Sequence, residues 1–145
     1  MLTCNHILKP RHLSDLKPVR SYQGYGELGL DKSCEGNSLT IGNAVFEKGL
    51  GTHAYSEIIY RLEGKYSYLE GFVGLDKEVS GGSVIFQVYA DGKKLYQSET
   101  LYQTSKPSKF SISVKKVKQI QLVVTDADNG TGADHANWAD IKLRR

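Results

Sequence analysis

The chain has 145 residues, a net charge of +3 and 39% hydrophobic residues, enough for one domain with its own buried core and too little for two of ordinary size. Its basic excess, mostly in "VKKVK" (114–118) and "KLRR" (142–145), is too small for a nucleic-acid footprint and reads as a solvated face. No apolar run approaches the roughly 18 residues of a spanning helix, and "MLTCNHILKPRHL" lacks the apolar core of a signal peptide, so neither membrane insertion nor an export leader is expected.

In chain order, residues 1–11 mix polarity around Pro10 and read as a lead-in, with the domain running from 12 to 145. "HLSDL" (12–16) is the one place for a short helical turn, begun by Ser14 or Asp15. "SYQGYG" (21–26) is an aromatic, glycine-rich loop carrying Tyr22 and Gln23. It overlaps "GYGELG" (24–29), which matches a dinucleotide fingerprint by letter. The turn-rich "LDKSCEGNS" that follows offers no helix to receive a phosphate, so these glycines are read as a tight irregular loop. Cys34 and the earlier Cys4 sit in no zinc-finger or C-x-x-C spacing, and their pairing stays open.

From residue 57 onward the pattern is alternating and β-branched: "EIIYRL" (57–62), "YSYLEGFVGL" (66–75), "SVIFQVYA" (83–90), "KFSISV" (109–114) and "QIQLVVT" (119–125). These predict strands, separated by turns at 63–65, 80–82, 91–94 and 105–109. Asp91-Gly92 is the strongest hairpin signal, because a type I′ turn needs positive φ at both central positions. Fifteen glycines and little helical periodicity predict an all-β sandwich.

The C-terminal stretch "DADNGTGADHANWAD" (126–140) concentrates the chemistry. Asp126, Asp128 and Asn129 invite a calcium loop, but the spacing lacks the EF-hand pattern and its closing Glu. A one-off structural calcium ion is left open against an ordinary turn, and no cofactor is required. "NGT" (129–131) fits a glycosylation acceptor, which would count only in a secreted eukaryotic protein. His53, His135, Asp134 and Asp76 could supply acid and base chemistry, yet no nucleophile elbow or zinc signature accompanies them, and structural hydrogen bonding is the commoner role of such residues. Trp138 reads either as core or as a ring on which a sugar face stacks, with Asn, Asp and His beside it to meet hydroxyls.

Taken together, the ordered motifs "KGLGTHA" (48–54), "VGLD" (73–76), "ADGKKLY" (90–96) and "DHANWAD" (134–140) resemble the NPCBM family, the family 51 carbohydrate-binding modules, from about His12 to Leu143. The resemblance implies a galactose-binding-like jelly roll and a non-catalytic, monomeric module that holds a larger extracellular or cell-surface polypeptide, such as a glycoside hydrolase, against glycans ending in galactose or blood-group-like sugars. It carries His53, Asp134, His135 and Trp138 over as motif positions, with Asn137 standing where Asp is common in the family. The expected ligand set is Trp138 or Tyr22 as stacking platform, with His53, Asp134, His135, Asn137 and Gln23 as hydrogen-bond partners. The alternative is a protein-interaction or adhesion domain of the same fold. The set requires the segments around 53 and 135 to meet at one edge of the sandwich.

Overall fold

The computed structural model describes residues 9–127 and 133–145. Along them run β1 (Arg11–His12), a 3-10 turn (Leu13–Asp15), β2 (Arg20–Gln23), β3 (Gly29–Leu30), β4 (Leu39–Ile41), β5 (Ala44–Phe46), β6 (Gly49–His53) and β7 (Ser56–Arg61). There follow β8 (Tyr68–Leu75), β9 (Ser83–Ala90), β10 (Lys93–Gln97), β11 (Leu101–Tyr102), β12 (Ser108–Ser113), β13 (Gln119–Thr125) and β14 (His135–Arg144). The alternating segments therefore form β7, β8, β9, β12 and β13, and "HLSDL" holds the 3-10 turn, the one turn of helix among the described residues. Arg11, one residue before the expected domain start, pairs with Leu143. Asp91 and Gly92 take φ of 48° and 86° between β9 and β10, the left-handed pair that the hairpin requires.

Two antiparallel sheets build the sandwich. One is ordered β12-β8-β14-β6-β3, with β1 added to β14; the other is ordered β10-β9-β13-β7-β2, with β11 added to β9. Alternation sends Leu50, Val73, Trp138, Leu75 and Ala136 of the first sheet inward, against Ile58, Phe86, Val88 and Leu122 of the second. Full burial of each such aliphatic side chain stabilises the fold by about 1.5–3 kcal/mol.

The first sheet also has cover on its outer face. Residues 31–46, including the β4–β5 hairpin, lie across β6, β8 and β14, with Leu39 and Ile41 fully buried and the Phe46 ring 5.4 Å from Phe72. Lys77 N–H donates to the Thr40 carbonyl, and Asp31 N–H to the Gly49 carbonyl. Close approach is possible because the sheet presents glycines there: a Cβ on Gly51 would stand 2.3 Å from the Lys32 carbonyl oxygen, and one on Gly74 2.5 Å from Ile41 Cγ2. Strand β6 is consequently buried on both faces along its whole length.

Candidate functional site

The β6–β14 ladder pairs His53 directly with His135, 82 positions apart in sequence by subtraction of their numbers, so the two distant motifs do meet at one edge. Their rings are 5.1 Å apart at 63°, on the outer face just beyond the cover. Over them lies Tyr25, from the loop between β2 and β3, with its ring 5.2 Å from His53 and 6.4 Å from His135. Tyr25 is 57% exposed, whereas His53 and His135 are 6% and 5% exposed. The loop holds its shape through Gly26, at φ 69°, and through the Gln23 side chain, which donates from Nε2 to the Tyr25 carbonyl and accepts at Oε1 from Thr52 Oγ1.

Hydrogen bonds assign the histidine tautomers. Nδ1 of His53 is 2.6 Å from the Ala54 carbonyl oxygen, and Nδ1 of His135 is 2.6 Å from Glu78 Oε2. Both partners only accept, so each Nδ1 carries a proton, and in the neutral ring Nε2 keeps its lone pair. Neither Nε2 has a hydrogen bond among the described residues, and neither is among the fully buried polar atoms lacking one. Both therefore reach solvent at the rim. Burial holds the His53 pKa below the usual imidazole value despite the opposing Ala54 hydrogen bond.

The acidic and amide members of the C-terminal motif are committed inside the protein. Asp76, itself buried, accepts at Oδ2 from Thr40 N–H and Asn137 Nδ2 and at Oδ1 from Glu78 N–H, fastening the hairpin, β8 and β14 to one another. Asp134 is fully buried and accepts from Ser83 N–H through Oδ1, while Oδ2 has no hydrogen-bond partner among the described residues. Burial, helped by the charge of Asp126, raises its pKa to about 6. These contacts correct the expectation that Asp134 and Asn137 bond a ligand.

Trp138 is corrected as well. It is 0% exposed, with its ring edge-on to Phe86 at 5.0 Å and near Phe110 at 6.2 Å. It lies three residues from His135, and an odd separation on a strand puts two side chains on opposite faces. Tyr22 is not brought beside the histidines either. Gln23 pairs with fully buried Ser56 and points inward, so Tyr22, 60% exposed, points to the outer side of the other sheet and makes no ring contact with either histidine. Asp128 and Asn129 of the calcium expectation lie outside the described residues, as does Cys4.

Sequence reasoning missed Tyr25, Cys34 and Glu78. Tyr25 stands in "SYQGYG", the aromatic loop from which only Tyr22 and Gln23 are expected as ligand contacts, and Cys34 sits in no spacing that marks a ligand. Cys34 is a free thiol whose Sγ is 3.2 Å from His135 Nδ1. Burial and then the charges of Glu78, Glu35 and Asp76 push its pKa up to about 12. Beside it opens a groove of about 310 Å³ lined by Glu27, Leu28, Lys32, Ser33, Cys34 and Glu35. A larger concavity of about 640 Å³ between residues 42–44 and 103–107 has no aromatic ring in its lining.

The edge of the sandwich thus offers an exposed aromatic ring above two neighbouring histidines. Comparison with known proteins gives the family: the profile described as NPCBM, NPCBM/NEW2 domain, matches residues 9–144, and the chain belongs to it. It is a non-catalytic carbohydrate-binding domain of the sandwich type. It is 35% identical over 124 residues to Alpha-1,3-galactosidase B of Akkermansia muciniphila, covering 82% of this chain but only 16% of that protein. Among solved structures, CBM51 from Clostridium perfringens GH95 in complex with methyl-galactose superposes with a TM-score of 0.89 at 35% identity, covering 93% of this chain and 99% of that one. CBM51-2 of Clostridium perfringens ZmpB, in complex with GlcNAc, gives 0.90 at 36% identity, covering 94% of this chain and 32% of that one. No helix among the described residues is long and apolar enough to cross a membrane.

Proposed function

We propose that the rim formed by Tyr25, His53 and His135 takes a terminal galactose or a closely related neutral sugar, and so holds an extracellular or cell-surface glycoside hydrolase, of which this chain is a part, on its glycan substrate. The observation that carries this reading is the cross-strand histidine pair beneath Tyr25. The exposed ring is a surface for the less hydroxylated face of a sugar, and the two imidazoles, 5.1 Å apart between ring centres, can each meet a sugar hydroxyl. The methyl-galactose bound by the similar Clostridium perfringens GH95 module supports the choice of sugar. The shallow site exchanges water hydrogen bonds for protein ones, so a single site should bind with a Kd of about micromolar to millimolar.

The test is a glycan array followed by titration of the best ligand, with free galactose as competitor. Competition by galactose, and loss of binding by at least about tenfold in Tyr25→Ala, are the expected results. Because Tyr25 is largely exposed, that variant should keep its stability within about 0.5 kcal/mol. Full affinity in Tyr25→Ala would move the sugar site elsewhere. Capture of a protein partner that galactose does not displace would favour the adhesion reading.

A further inference from the structure

Directly behind the histidine pair, three side chains from separate parts of the chain converge. Cys34 Sγ, Glu78 Oε2 and His135 Nδ1 all lie within 4.8 Å of one another. The separations are 3.2 Å from sulfur to nitrogen, 2.6 Å from nitrogen to oxygen and 4.0 Å from sulfur to oxygen. Hydrogen bonding alone serves this group badly. His135 Nδ1 gives its one proton to Glu78, so the thiol faces an N–H rather than a lone pair, and its own proton reaches only the carboxylate oxygen at the limiting distance.

We propose that Cys34, Glu78 and His135 form a binding site for a thiophilic divalent cation of the zinc type. Zinc bonds of about 2.0–2.3 Å to nitrogen, oxygen and sulfur in tetrahedral geometry put neighbouring donors about 3.3–3.7 Å apart, a value the three separations bracket. One sulfur and one imidazole select a metal softer than calcium or magnesium. The setting is prepared for positive charge. Glu78 and His135 side chains are each 7% exposed, and the carboxylates of Glu78, Glu35 and Asp76 act together on the thiol.

The supporting contacts are those that orient a metal ligand. Glu78 Oε1 accepts from Ser33 Oγ and from Asn37 Nδ2, which leaves Oε2 pointing at the cluster. Ser33 Oγ also accepts from the backbone N–H groups of Glu35 and Asn37, and so fixes the loop that carries Cys34. On binding, the thiol releases its proton to solvent, and the imidazole proton moves from Nδ1 to Nε2 by exchange with solvent, which frees the Nδ1 lone pair for the ion. The rim nitrogen of His135 then changes from acceptor to donor. This last consequence rests on the glycan reading, whereas the metal site does not.

The experiment is a titration of the reduced chain with cobalt(II), followed by zinc, in the absence of any glycan. One equivalent of cobalt should produce a thiolate-to-metal charge-transfer absorption, which zinc abolishes and a large excess of calcium does not. Cys34→Ser should lose that absorption while melting as the parent does, Glu78→Gln should bind at least about tenfold more weakly, and Cys4→Ser should behave as the parent. Absence of the absorption at millimolar cobalt, its survival in Cys34→Ser, or its loss in Cys4→Ser would overturn the assignment. Glycan binding by a chain that takes up no cobalt would overturn the metal site and leave the sugar reading intact.

Discussion

His135 and Trp138 stand three residues apart on β14 and have opposite destinations. His135 emerges on the outer face at the sheet's end, beside His53, Tyr25, Cys34 and Glu78; Trp138 points into the sandwich against Phe86 and Phe110. Between them Asn137 shares the outer face with His135, yet it is sealed under the hairpin and spent on Asp76. A compact sequence motif is therefore three separate devices: a contact at the rim, a fastening for the cover and a piece of core. The difference teaches that on a strand a motif is divided by parity first and by what lies over each face second.

The strongest way to break this contrast is Trp138→Ala. Removing a fully buried indole from the interior should cost about 3–5 kcal/mol, read as a shift of the urea midpoint, and glycan binding at low denaturant should fall only as far as the folded fraction falls. A variant that stays fully stable but stops binding would return Trp138 to the rim.

Next in size is Gly51→Ala, on the covered part of the outer face. Its new methyl would meet backbone atoms of Lys32 and Ser33 at 2.3 and 2.5 Å, which only displacement of the cover relieves. We expect a loss of about 1–3 kcal/mol by denaturant titration. Gly74→Ala should cost less, because its first obstacle is the side chain of Ile41 rather than backbone.

The smaller effects are in pH, and the two regions should give opposite signs. Burial lowers the His53 pKa, so its contribution to stability is present above the unfolded value of about 6.5 and is lost as pH falls through the folded value. Protonation also removes the Nε2 lone pair, so sugar affinity should be level near neutrality and fall only as pH drops through the lowered folded pKa of His53. The fall should flatten in His53→Asn. Asp134 runs the other way. Its folded pKa of about 6 lies above the ordinary 3.8, so its stabilisation is present below the latter and is lost as pH rises through the former. Asp134→Asn, which can still accept from Ser83 N–H, should be more stable than the parent at pH 7 and lose that advantage by pH 4. Equal pH dependence of melting in parent and variant would remove Asp134 as the source.

Much of the architecture follows from local pattern. The alternation at 57–62, 83–90 and 119–125 encodes strands because a pleated backbone offers its two faces to different surroundings, and Asp91-Gly92 encodes a hairpin because few residues tolerate its left-handed turn. The motifs around His53 and His135 were also legible as belonging to one edge, and the ladder joins them residue to residue. What sequence alone could not decide was which face each side chain meets and what covers that face. Register turns Trp138 inward and Tyr22 away from the histidines, a cover drawn from residues 31–46 hides Asn137, and loop closure brings Tyr25, Cys34 and Glu78 to a place their own neighbours do not announce. Those outcomes depend on contacts between residues tens of positions apart, made only when the sheets pack; the periodicity of a strand records that a face is buried, and carries no label for the partner that buries it.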